Sequence, residues 1–206
     1  MVKKKKNKQK HYNRKLIRFF WGSFIFFILG GFVLFFGAAL GIYGPMPDLQ
    51  ELENPKTNLA TQIISADGAI LGKYYFNDNR TPIDFDEIPI HMVDALIATE
   101  DERFYEHSGI DWRGTLRAFI YLGKRGGAST ITQQLARQIF VGIRSRNIFK
   151  TILQKAQEWV IAVQLERRYT KKEILAMYLN KYDFGYQADG IRSAAKIFFN
   201  KTPQQL

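Results

Sequence analysis

Residues 88–111, IPIHMVDALIATEDERFYEHSGID, start as an amphipathic helix and end in a crowd of ionisable groups. How that change is read decides the rest of the chain. Pro89 suits a first helical turn, and Met92, Val93, Leu96 and Ile97 follow the i, i+3, i+4 spacing of a packed stripe. Glu100 is the next member of that stripe, so the spacing turns it toward the packed side while Asp101 and Glu102 rotate away. A carboxyl placed there has its charged form disfavoured by desolvation, which raises its pKa toward the range useful for proton transfer. The alternative is a helix-end carboxylate that simply reaches water.

Downstream, helical periodicity runs to the end of the chain. A second helix starts after KRGGAST, 124–130, with Ser129 or Thr130 as its cap and Gln133, Gln134 and Arg137 in its first turns. A third runs from about Asn147 to Arg168 and packs through Phe149, Ile152, Leu153, Ala156, Trp159, Val160 and Val163, leaving Thr151, Lys155 and Glu158 on its other face. The capping-box pattern Thr170-Lys171-Lys172-Glu173 opens a fourth, through Asn180. The basic, Gly-containing segment 139–150 reads as a flap over a cleft.

Upstream the pattern is different. Residues 19–47 carry no charge over 29 positions, more than the roughly 20 needed to cross a hydrocarbon core. A cleaved signal peptide would have an apolar region of only about 7–15 residues. Nine of the thirty basic residues and no acid precede this run, so removing them from the net charge of +11 leaves only +2. By the positive-inside rule that tail stays in the cytoplasm and the C-terminal part lies outside. A nucleic-acid-binding arm is the competing reading of a Lys-rich run, but one that stops at a membrane span reads more simply as a topology signal. After three prolines in 45–55, TQIIS and AILGKYYF flank Asp67-Gly68, the signature of a small β-hairpin. The expected organisation is therefore a basic tail 1–18, a transmembrane helix 19–43, a linker 44–61, a hairpin segment 62–87 and a helical domain 88–206.

Several side chains carry chemistry, each with an ordinary structural alternative. Glu158 alone could be half of a solvated helix-face pair. His107 could be a base or a metal ligand; with only His11 and His91 elsewhere and no Cys, a zinc cage is poorly supplied, and an orienting contact suits it better. The Gly-Gly-Ala-Ser-Thr turn looks like an anion-binding helix start but lacks P-loop spacing. Gln133 and Gln134 need hydrogen-bond partners if buried, and sugar hydroxyls would serve. Lys124, Arg125, Arg137, Arg144, Arg146 and Lys155 are cations that could meet a pyrophosphate.

Together these residues resemble the peptidoglycan glycosyltransferases of family 51, found in class A penicillin-binding proteins and in monofunctional transglycosylases. EDERFYEHSG at 100–109 is similar to that family's first motif, GASTITQQLARQ at 127–138 to its second, QKAQE at 154–158 to its third, KKEILAMYLN at 171–180 to its fourth and DGIRSAAKIFFNK at 189–201 to its fifth. The resemblance implies a mainly α, lysozyme-like domain behind one transmembrane helix, which polymerises lipid II on the outer side of the bacterial cytoplasmic membrane and is a target of moenomycin. Carried over by position, Glu100 and Glu158 are the catalytic pair, and Asp101, His107, Ser129, Thr130, Gln133, Gln134, Arg137 and Lys155 bind substrate. No cofactor is required, with a divalent cation (Mg or Mn) at the pyrophosphate as an option and no protein metal site. The implied partners are lipid II, the growing glycan strand, the membrane and other cell-wall synthesis proteins, but no nucleic acid. The third motif usually begins with Arg where this chain has Gln154, the fifth has Tyr where it has Asp189, and Lys is also common at Arg137. The family's domain continues past residue 206, so a truncated bifunctional parent is expected. A monofunctional transglycosylase, a lytic muramidase-like hydrolase and a non-catalytic lipid-linked-sugar-binding scaffold are the alternatives.

Overall fold

Helix α1 spans Lys3–Ala39 without a break between basic tail and apolar run. Its 26-residue portion Arg14–Ala39 has a window of mean hydropathy 2.2 and is long and apolar enough to cross a membrane. The α-helix ends at Ala39, four residues before the end expected for the span. Gly41, at φ 72°, ends the helix in a Schellman arrangement, with Gly41 N–H donating to Ala38 O and Ile42 N–H to Gly37 O, both at 3.0 Å. The protein is described here by a computed structural model covering residues 3–44, 46–47, 61–68, 70–74, 81–121, 124 and 127–206. Nearly all of the linker expected over 44–61 lies outside these residues.

The hairpin forms where Asp67-Gly68 places it. Strand β1, Thr61–Ile64, pairs antiparallel with β2, Ile70–Tyr74, with a register shift between Ile63 and Ile64. The turn is longer than a two-residue loop. Gly68 takes φ 84°, and its N–H donates to Ser65 O at 2.9 Å.

The rest is helical: α2 Ile90–Glu100, α3 Trp112–Ile120, α4 Ile131–Ala136, α5 Ile148–Arg168, α6 Lys171–Lys181 and α7 Ile191–Phe199. Four starts agree with the sequence reading. Pro89 precedes α2 as its cap, Thr130 caps α4 by accepting from Gln133 N–H, Asn147 caps α5 through Phe149 and Lys150 N–H, and Thr170 with Glu173 forms the capping box of α6. Helices α3 and α7 are additional. Asp111 caps α3 by accepting from Arg113 N–H.

Short α4 is the centre of the core. Ile131, Leu135 and Ala136 are fully buried against Ile161, Ala162 and Leu165 of α5 and Ile174, Leu175 and Tyr178 of α6. Each large aliphatic side chain buried here contributes about 1.5–3 kcal/mol. Beyond Ala136 the backbone widens into a π-turn over Arg137–Val141, which Gly142 closes at φ 78°. Such turns interrupt a helix most often beside functional sites.

The packed face of α5 differs from the expected stripe. Phe149 and Ile152 are exposed, whereas Ala156, Gln157, Glu158, Ile161, Ala162 and Leu165 are buried. The reason is that α5 packs on both sides. Its Trp159 stacks on Phe35 of α1 at 5.3 Å, while the 158/161/165 side meets α4. Glu158 therefore lies inside rather than on a solvated face.

Gly109 joins the 100–109 segment to α5. It has φ 84°, and a Cβ on it would sit 2.9 Å from the backbone C and O of Ala162. Gly109→Ala should cost about 2–3 kcal/mol in urea unfolding, through backbone strain plus displacement of α5. A loss below 0.5 kcal/mol would contradict this close approach.

Candidate active site

Helix α2 ends at Glu100, and Asp101 leaves helical geometry at φ −159°, ψ 72°. This break reverses two expectations. The helical phase no longer applies after residue 100, so Asp101 turns inward and is buried, while Glu100 is exposed. Glu100 is therefore not packed against the apolar side as the stripe spacing implied. Glu102 is exposed as expected.

Asp101 organises the segment. Its carboxylate accepts from Ile131 N–H at 3.1 Å, at the start of α4, and meets His107 Nε2 at 3.0 and 3.1 Å. His107 is thus an orienting residue, edge-on to the buried Phe104 ring. Its main-chain oxygen accepts from Lys171 Nζ at 2.7 Å, and the same ammonium lies 4.2 Å from the Phe104 ring centroid. Thr130 Oγ1 and Gln133 Nε2 both donate to Gly109 O, at 2.8 and 3.0 Å. Both side chains are buried, Gln133 completely. Asp101, Thr130 and Gln133 tie α4 to the 100–109 segment. The expected anion-binding helix start is also altered, because Ile131 N–H is taken by Asp101 and Gln133 N–H by Thr130 Oγ1.

Glu100, Asp101, Glu102, Arg103, Arg117, Ser129, Thr130 and Gln134 are among the residues that line a cleft of about 380 Å³. Gln134 Nε2 donates to Glu100 Oε2 at 2.7 Å, and Tyr178 Oη donates to Gln134 Oε1 at 3.1 Å. Burial, and then the Glu100 carboxylate, push the Tyr178 phenol well above its ordinary pKa, so it remains a donor. Tyr178 escaped the sequence reading because it sits in an apolar helical run, where an aromatic reads as core. Arg103 is held by Asp111. Arg117 also escaped, since a lone exposed arginine carries no motif.

Ser129 connects this cleft to a second group of charges. Its Oγ accepts from Lys155 Nζ at 2.8 Å, and the same ammonium donates to Glu158 Oε2 at 2.8 Å. The other Glu158 oxygen faces Arg144 Nη2 at 3.6 Å. Burial lowers the Lys155 pKa; hydrogen bonding to Glu158 opposes that, while the charges of Arg144 and Arg137 add to it. Ser129, Gln134, Arg137, Lys155, Glu100 and Glu158 therefore form one neighbourhood around the start and end of α4. The arrangement does not suit a divalent ion, because both Glu158 oxygens already face cations. Among the described residues no group of three or more His, Cys, Asp or Glu could hold a metal.

The cleft can present a carboxylate to a proton donor on one side and concentrate positive charge on the other. A protein-family model described as Transglycosylase matches residues 67–206. The chain is 40% identical over 196 residues to penicillin-binding protein 1A of Escherichia coli, covering 93% of this chain and 22% of that protein. It is 41% identical over 160 residues to penicillin-binding protein 1A of Haemophilus influenzae, with 76% and 18% covered. Against penicillin-binding protein 1F of Bacillus subtilis it is 42% identical over 151 residues, with 71% and 20% covered. The chain spans about a fifth of the length of these relatives.

Proposed function

The chain belongs to the transglycosylase family, and on that premise we propose that its cleft polymerises lipid II into glycan strands with inversion at the anomeric carbon. The observation that carries this reading is Glu100, lining the cleft with one oxygen held by Gln134, across Ser129 from the buried Lys155–Glu158 pair. In the reaction the acceptor sugar's 4-hydroxyl attacks the anomeric carbon of the growing chain. Glu100 takes the hydroxyl proton. The bond to the lipid pyrophosphate breaks on the opposite face, and Lys155, Arg137 and Arg144 stabilise the charge that collects there. Glu158 keeps Lys155 charged and in place. The reaction needs no organic cofactor.

The names of the relatives favour a bifunctional penicillin-binding parent over a monofunctional transglycosylase. Helix α1 holds the cleft beside a lipid-bound substrate, which raises its effective concentration. The nine cations before the apolar run favour a cytoplasmic N-terminus and an external cleft. Protease added outside should then digest the chain after residue 48, and digestion from the cytoplasmic side alone would overturn that orientation.

Purified protein given lipid II should produce a polymer ladder on a gel that moenomycin abolishes. A hydrolase would instead shorten finished peptidoglycan and ignore lipid II, and a binding scaffold would retain lipid II unchanged. Either result would refute the proposal.

A further inference from the structure

Gln154 precedes Glu158 by one turn of α5 and is not among the residues that line the Glu100 cleft. It grips the backbone on both sides of Arg144. Gln154 Oε1 accepts from Ser145 N–H at 2.9 Å, and Gln154 Nε2 donates to Ile143 O at 3.0 Å. Thr151 Oγ1, one turn earlier, donates to Ser145 O at 2.8 Å, and Asn147 N–H donates to Ser145 Oγ at 3.1 Å. The Ile143 side chain is 95% exposed, so apolar packing does not anchor this loop. Polar clasps do. Gln154 and Glu158 lie four residues apart and so share one face of α5. The residue held between the clasped amides, Arg144, reaches Glu158 Oε1 at 3.6 Å.

We propose that Gln154 is a positioning residue that fixes Arg144 over Glu158 by clasping the backbone on both sides of that arginine. The chemistry requires an amide. A primary amide accepts and donates at once, whereas guanidinium and ammonium groups only donate and an ionised carboxylate only accepts. Arginine at 154 could bring its own charge but could not accept from Ser145 N–H. This inference rests on the glycosyltransferase reading for its catalytic consequence, though not for the clasp itself.

The test combines a double-mutant cycle with proteolysis of the full chain in detergent. Gln154→Ala should lower kcat/KM for lipid II about tenfold, as expected for two lost hydrogen bonds. In an Arg144→Ala background the same change should cost less than twofold, because the residue through which it acts is gone. Gln154→Arg should retain most activity while making Arg144→Ala nearly silent. Trypsin should cut after Arg144 several-fold faster in Gln154→Ala, and in Gln154→Glu if the alanine variant does not fold. Additive kinetic losses, or unchanged cleavage after Arg144, would overturn the proposal. Should the unmutated chain make no polymer, the functional reading fails, while the rate of tryptic cleavage still decides whether Gln154 holds the loop.

Discussion

Glu100→Gln is expected to slow lipid II polymerisation by about 10²–10⁴ while moenomycin binding persists. Glutamine keeps the outline of the side chain and can still pair with Gln134, which Tyr178 holds from behind. It loses only the ability to take a proton. Because Glu100 is exposed at the end of α2, the substitution should change unfolding stability by less than about 0.5 kcal/mol, which separates a chemical defect from a folding one. In the proposed reaction the bound substrate itself would fill the cleft and exclude water from Glu100.

Glu158→Gln should give the next largest loss, about 10²–10³ in rate, with a different signature. Glu158 is 1% exposed and faces Lys155 and Arg144 at once. Removing its charge leaves two cations beside each other and should lower stability as well as turnover. Burial already draws the Lys155 pKa down, and hydrogen bonding to Glu158 is the main influence holding it up. Without the carboxylate the ammonium gives up its proton at lower pH, so the alkaline limb of the kcat/KM profile should move to lower pH. Lys155→Arg should remove that limb, since guanidinium stays charged above pH 12. An alkaline limb in Glu158→Gln that coincides with that of the unmutated chain would show that Lys155 is not the group being titrated.

Elements with local punctuation were legible in the sequence. Pro89, Asn147 and the Thr170–Glu173 box each mark a helix start, and Gly68 marks the hairpin, because caps and turns depend on a few adjacent residues. Helical phase was legible only while the helix lasted. The stripe through Met92, Val93, Leu96 and Ile97 is correct, but extending it to Glu100 and Asp101 inverted their burial, since the chain leaves the helix between them. Helix α5 misled in another way: it packs against α1 on one side and α4 on the other, and periodicity alone cannot rank two apolar faces. The motifs name Ser129, Gln134, Lys155 and both glutamates; in the structure Gln134 pairs with Glu100, and Lys155 joins Ser129 to Glu158. Motif matching did not announce that Asp101, Thr130 and Gln133 also tie α4 to the 100–109 segment, because a motif match carries no information on hydrogen-bond partners. Tyr178 and Gln154 act through contacts 44 and 9–11 residues away, and no local pattern announces such partners.

The central claim is that Glu100 is the base of a glycan-polymerising cleft. The most direct measurement is the initial rate of lipid II polymerisation by Glu100→Gln set beside Glu102→Gln, two exposed carboxylates two residues apart on the same segment, with moenomycin binding confirming that both variants are folded. Glu102→Gln should polymerise at a near-normal rate and Glu100→Gln at least about 10²-fold more slowly. Equal rates for the two variants would contradict the claim.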